Sequence, residues 1–157
     1  MAKSEVRWFN EQELSNWMAF LDMQKLLMET LDRELRDLVG ITLDDYDVLA
    51  QLSNTPQQRL RMSDLAEAVV MPKSRLTYRI DQLVKRGCVA RIDCEDDRRG
   101  LFAGLTPAGV ALLERAAPIH VTSVRNNFCD PIGEQSAAEM CRMASHIRDH
   151  LIKTRKP

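Results

Sequence analysis

The chain has 157 residues, 45% of them apolar, which is about one domain's worth of core with an added helical layer. Its formal net charge is -1, and it contains no apolar run of the ~18 residues that a membrane span needs. The opening stretch MAKSEVRWFNEQ lacks the apolar centre of a signal peptide, so the expected location is the cytoplasm.

Residues 11–38 read as one long helix. Leu14, Leu21, Met28 and Leu35 recur every seven residues, interleaved with Trp17, Gln24, Leu31 and Leu38. Phe20, Met23 and Leu27 widen the apolar surface, and Gly40 is placed to end the helix. Thr42 then caps a second helix with Asp44 and Asp45 in its first turn, where negative charge suits the helix dipole. Its expected inner face is Leu43, Tyr46, Leu49, Ala50 and Leu52, and SNTPQQR is expected as a loop.

Ser63 suits the N-cap of a short helix, SDLAEAVV. Pro72 disfavours helical geometry at Met71 and is well placed to open the next helix, which runs to Arg86 before Gly87. Two helices this close form a helix-turn-helix. CVARIDC (88–94) and GLFAGL (100–105) follow as two strands joined by EDDRR, a hairpin that makes a wing. Thr106 caps and Pro107 opens a fifth helix reaching about Asn127, with Pro118 expected to kink it. A last helix covers 134–153, with Ala137, Met140, Ala144, Ile147 and Leu151 on one stripe.

The expected fold is therefore mainly α with a small β-hairpin wing. A winged helix-turn-helix lobe occupies 41–105, and a helical dimerisation region is formed by the N- and C-terminal segments 1–40 and 106–157. The terminal seams exceed what a domain of this size can bury, which favours a homodimer through Leu14, Trp17, Leu21, Met140, Ile147 and Leu151. Packing of helix 11–38 against 106–128 within one chain is the other use of the same surface.

Cys88, Cys94, Cys129 and Cys141 show no C-x-x-C spacing, and His120, His146 and His150 do not cluster with them. Neither a metal site, a disulfide framework nor a cofactor is expected. Phosphate-loop and hydrolase motifs are absent, so an enzyme is not expected.

The small net charge hides an asymmetry. Residues 1–50 carry 5 basic and 11 acidic side chains, whereas 59–99 carry 10 and 7. Between 72 and 92, Lys73, Arg75, Arg79, Lys85, Arg86 and Arg91 face Asp81 alone. A basic surface on an otherwise acidic protein suits nucleic acid, and a solvated helix face is the plainer alternative. In a helix over 72–86, Leu76, Ile80, Leu83 and Val84 fall inward, and Ser74, Tyr78, Asp81 and Lys85 fall outward. Such a helix fits the major groove of double-stranded DNA. Arg75 and Arg79 are the leading base readers, Ser74, Thr77 and Tyr78 reach bases or phosphates, and Lys73 and Lys85 meet phosphates. Pairing of Arg79 or Arg86 with a neighbouring acid is equally open.

At the wing, alternate residues share a face, so Asp97 can meet Arg99 while Arg98 points away. An arginine loses ~2 kcal/mol of rotamer entropy when it is fixed, and an acid two residues earlier can hold it extended towards the minor groove. An exposed turn with a surface ion pair worth ~0–1 kcal/mol is the alternative.

Together these residues resemble the MarR family of winged-helix transcriptional regulators. The run Asp97-Arg98-Arg99-Gly100-Leu101-Phe102-Ala103-Gly104-Leu105-Thr106-Pro107-Ala108-Gly109 is similar to the family's wing signature, and RMSDLAEAVVMPKSRLTYRIDQL (61–83) to its helix-turn-helix. The resemblance runs from about residue 40 to 115. It implies a dimer that binds a palindromic operator, with Arg61, Ser63, Lys73, Ser74, Arg75, Thr77, Tyr78, Arg79, Lys85, Asp97, Arg98 and Arg99 at the DNA. It also implies a repressor released by a small aromatic or phenolic effector, in a pocket that Trp17, Phe20, Tyr46, Met62 and His120 could line. His120 alternatively satisfies a carbonyl freed near Pro118.

Two other functions compete. A redox sensor would use Cys94, Cys129 or Cys141; Cys88 and Cys94 lie ~20 Å apart along one strand and cannot bridge within it. A winged helix could also serve protein contacts, against which the six basic residues argue.

Overall fold

The computed structural model describes residues 6–93 and 101–154. Helix α1, Glu11–Val39, is bounded by its own side chains. Asn10 accepts from the Glu13 amide at 2.8 Å and the Glu13 carboxylate accepts from the Asn10 amide at 2.9 Å. At the other end Gly40, at φ 73, donates to the Arg36 carbonyl. Thr42 and Asp45 repeat the reciprocal cap at the start of α2, Leu43–Ser53. The buried stripe of α2 is Asp45, Val48, Leu49 and Leu52, a three-four spacing. Val48 therefore takes the central position expected of Ala50, and Ala50 and Tyr46 are half-buried.

A short strand, β1 (Arg59–Arg61), begins where a loop was expected to continue. It pairs antiparallel with β3 (Leu101–Leu105), which also pairs with β2 (Val89–Asp93). The sheet order is β1-β3-β2, so the wing strands carry a third strand at the edge of β3.

Helix α3, Met62–Ala68, starts one residue before Ser63. Ser63 is thus inside the first turn; it donates to Asp64 at 2.9 Å instead of capping. Val70 in the turn has a positive φ of 51, and Pro72 precedes α4, Lys73–Lys85. Leu76, Ile80 and Leu83 of α4 are buried, but Val84 is 37% exposed. Gly87, at φ 70, reverses the chain into β2.

Thr106 caps α5, Pro107–Val124, accepting from the Gly109 amide at 3.1 Å and donating to the Gly87 carbonyl at 2.6 Å. Pro118 lies within α5 without ending it. A π-helical turn, Arg125–Cys129, carries the chain directly into α6, Asp130–Thr154. The expected break between the last two helices lies at Gly133, at φ 71, so regular helix resumes at about 134 as expected.

The core gathers Leu35 of α1, Val48, Leu49 and Leu52 of α2, Leu65, Leu76, Ile80 and Leu83 of the two short helices, Ala103 of the sheet and Leu112 and Ala116 of α5. Helix α6 buries nothing, and Leu14, Trp17, Ile147 and Leu151 are exposed. Leu21 and Met140 are half-buried. No helix among the described residues is long and apolar enough to cross a membrane.

Candidate nucleic-acid interface

Burial of Leu76, Ile80 and Leu83 fixes which side of α4 meets the core. Lys73, Ser74, Arg75, Thr77, Tyr78 and Lys85 are consequently exposed, and Arg79 is half-buried. Thr77 returns its hydroxyl to the Lys73 carbonyl at 2.9 Å. Among the described residues Lys73 and Lys85 make no ion pair, which suits groups that meet phosphates.

The four arginines between 72 and 92 have defined partners. Arg75 donates through Nε and Nη2 to the two oxygens of Asp44 on α2, at 2.7 and 3.0 Å. Arg79 lies 3.7 Å from Asp44 and 3.7 Å from Asp45, with Thr42 Oγ1 at 3.4 Å. Its guanidinium also sits 4.8 Å from the centre of the Tyr78 ring. Arg86 donates to the Gly40 carbonyl at 2.9 Å, tying the ends of α4 and α1, and Arg91 pairs with Asp81 at 2.6 Å. For Arg79 the structure therefore supplies the acidic neighbours that the sequence left open. Arg75, also paired, keeps its outer edge in solvent.

Asp44 and Asp45 were absent from the expected site. The sequence explains both as dipole and capping acids, and only the packing of α2 on α4 brings Asp44 to two arginines 31 and 35 positions away.

On the sheet, the guanidinium groups of Arg61 and Arg59 lie 5.3 and 5.7 Å from the centre of the Phe102 ring. Ser63 is exposed at the start of α3. Asp97, Arg98 and Arg99, together with Cys94, lie outside the described residues.

A second feature lies behind the interface. A largely apolar cavity of about 450 Å³ opens between α1, α2, α5 and α6, with Phe20, Leu31, Asp47, His120, Phe128 and Met140 among its lining. Of the residues named for a pocket, Phe20 and His120 lie on its lining. Trp17 stacks behind Phe20 at 5.9 Å, and Tyr46 behind His120 at 4.2 Å. Met62 packs on the core instead. Phe128 was not foreseen because the π-helical turn carries it there. Asp47 was not foreseen because a helical acid reads as solvated. Burial and then the Asp44 charge raise its pKa to about 6. Burial lowers the His120 pKa, and its Nδ1 is buried with no partner among the described residues. The expected bond to a carbonyl near Pro118 is thus not made through Nδ1.

Cys88 is buried, as expected of a small core residue, and Cys129 and Cys141 are exposed. No group of His, Cys, Asp and Glu among the described residues could hold a metal ion.

Residues 39–100 match the sequence model of the MarR family. AbsC, a MarR family transcriptional regulator from Streptomyces coelicolor, is similar in structure with a TM-score of 0.89 and 38% identity, covering 95% of this chain and 100% of that one. Sco3205, a MarR family regulator from the same organism solved in complex with DNA, is similar with a TM-score of 0.91 and 34% identity, covering 95% and 93%. The HTH-type transcriptional regulator PecS of Dickeya dadantii is 29% identical over 112 residues, 71% of this chain and 67% of its own length.

Proposed function

Because the chain belongs to the MarR family of DNA-binding transcriptional regulators, we propose that it acts in the cytoplasm as a homodimeric repressor of a palindromic promoter site. The observation that carries this is the outward face of α4, where Lys73, Ser74, Arg75, Thr77, Tyr78 and Lys85 stand exposed over a buried apolar side. That face enters the major groove. Arg75 reads a base edge, and Ser74, Thr77 and Tyr78 border it. Lys73, Lys85, Arg61 and Ser63 meet the backbone. Arg79, held beside two acids, steadies the helix from within. The wing residues Asp97, Arg98 and Arg99, outside the described residues, are included in the DNA-binding set on the family resemblance, with the minor groove assigned to Arg99 and its holding to Asp97.

Dimerisation uses α1 and α6, whose exposed Leu14, Trp17, Ile147 and Leu151 form apolar surface at both ends of the chain. Segments 1–40 and 106–157 make that region, and 41–105 the DNA lobe. The cavity between them receives a small aromatic or phenolic effector, and its occupation releases DNA. It suits such a body in volume and in its Phe20, Phe128 and Met140 walls.

The test is DNA capture. Purified protein and an Arg99→Ala variant are mixed with sheared DNA from the source organism, and the retained fragments are sequenced. The expected result is a two-fold palindrome with half-sites about one turn, ~10 bp, apart, weakened in the variant. Retention of no sequence by protein stripped of small molecules would overturn the proposal.

A further inference from the structure

We propose that Asp44 is a positioning residue that sets DNA sequence specificity by holding Arg75 side-on, with its remaining donors facing the groove. The proposal rests on the reading of α4 as the base-reading helix.

The carboxylate of Asp44 is itself firmly placed. It stands in the first turn of α2, whose start is fixed by the reciprocal Thr42–Asp45 cap and by the Leu43 amide donating to Asp32 of α1 at 2.8 Å. Its side chain is 21% exposed, against 61% for Arg75. The acid is thus rooted in the protein while the base it holds reaches outward.

The pairing uses one edge of the guanidinium only. Nε–H donates to Oδ2 at 2.7 Å and Nη2–H to Oδ1 at 3.0 Å. A guanidinium has five N–H donors in a rigid plane. Three are left over: the second hydrogen of Nη2 and one of Nη1 form the end-on edge, and the other Nη1 hydrogen points back along the side chain. That edge matches the O6 and N7 acceptors of guanine in the major groove. An arginine so held has its long side chain ordered before DNA arrives, which lessens the entropy lost on binding.

Asp44 also lies 3.7 Å from Arg79 Nε, and Asp45 lies 3.7 Å from Arg79 Nη1. Arg79 is only 21% exposed. Its charge attracts the Asp44 carboxylate from the inner side, so the two arginines divide the work: Arg79 anchors the acid, and the acid aims Arg75.

Two simpler roles predict different behaviour. If Asp44 only stabilised α2, its loss would weaken binding to all DNA alike. If it competed with DNA for Arg75, its loss would tighten specific binding.

The experiment uses the full chain, with the captured site, a set of duplexes each carrying one changed base pair, and a scrambled duplex. Wild type, Asp44→Ala, Asp44→Asn and Arg75→Ala are titrated at two salt concentrations. The asparagine variant keeps the shape of the turn should the alanine variant fold poorly. Loss of the hold is expected to weaken binding to the captured site about tenfold, ~1.4 kcal/mol, and to leave the scrambled duplex unchanged or slightly tighter. Discrimination should collapse at one guanine position, the same one that Arg75→Ala erases. The salt slope of the Asp44 variants should stay that of wild type, because the Arg75 charge remains. Intact discrimination, equal weakening on both duplexes, or tighter specific binding would each overturn the proposal. If wild type itself failed to distinguish the captured from the scrambled duplex, the reading of α4 would fall, and this inference with it.

Discussion

Replacing Asp47 by Asn should make the protein more stable near neutral pH and remove a pH dependence that wild type carries. Asp47 faces the cavity wall, and its pKa is raised from 3.8 to about 6 by burial and then by the Asp44 charge. The folded protein therefore disfavours the carboxylate relative to the unfolded chain. Stability from this group is fully present below 3.8, is lost as pH rises, and is gone above about 6. A displacement of this size has a ceiling of ~3 kcal/mol. Asp47 is only half-buried, and solvent screening brings the expectation down to ~1 kcal/mol. His120 on the same cavity acts in the opposite sense. Burial lowers its pKa, so its contribution is present above the ordinary value of 6.5 and is lost as pH falls. Measuring Asp47→Asn against wild type, instead of wild type alone, cancels most of the histidine. Urea unfolding of both proteins at one concentration, in steps from pH 4 to 8, should show the variant's advantage growing from near zero to ~1 kcal/mol between pH 4 and 7. An advantage that is constant across this range, or that grows towards acid, would refute the burial argument.

Gly109→Ala should destabilise strongly, because an added Cβ would stand 2.1 Å from the Cys88 backbone carbonyl; a loss of about 3 kcal/mol or failure to fold is expected by thermal unfolding. Val70→Asn should stabilise by ~0.5–1 kcal/mol, since asparagine tolerates the left-handed region better than a β-branched residue. Val70 is exposed at φ 51, so little packing is lost, and an unchanged or lower melting temperature would count against strain at that turn. If the protein dimerises as proposed, Ile147→Glu combined with Leu151→Glu should leave it monomeric in sedimentation experiments with the α4 lobe still folded, because neither side chain joins the core. An unchanged dimer would place the interface elsewhere.

Much of the architecture was legible because its boundaries are made by local chemistry. Thr42, Gly40 and Gly87, and Thr106 in its capping bond to Gly109, act within one turn of themselves, and each does what its residue type implies. The failures have the opposite character. Strand β1 is three residues, Arg-Leu-Arg, too short to show an alternation, and it exists through pairing with a segment more than 40 positions later. Val84 lies on the apolar side of a helical wheel, but it is the last hydrophobic residue of α4 and projects past the core. Ser63 has the right chemistry for a cap, yet the helix begins earlier because Arg61 closes β1. At the interface, residue types announced the exposed face of α4, whereas the acids that hold its arginines come from α2 and carry no local mark.

The position of those acids joins the two parts of the molecule electrically. Asp44 and Asp47 lie three residues apart, about one turn of α2, with the first towards α4 and the second on the cavity wall. The charge of Asp44 is one cause of the raised pKa of Asp47. Arg75 and Arg79 stand against the same Asp44 carboxylate, at 2.7 and 3.7 Å, on the side towards α4. One turn of α2 thus carries an acid facing the arginines of α4 and an acid facing the cavity, and the charge of the first bears on the protonation of the second.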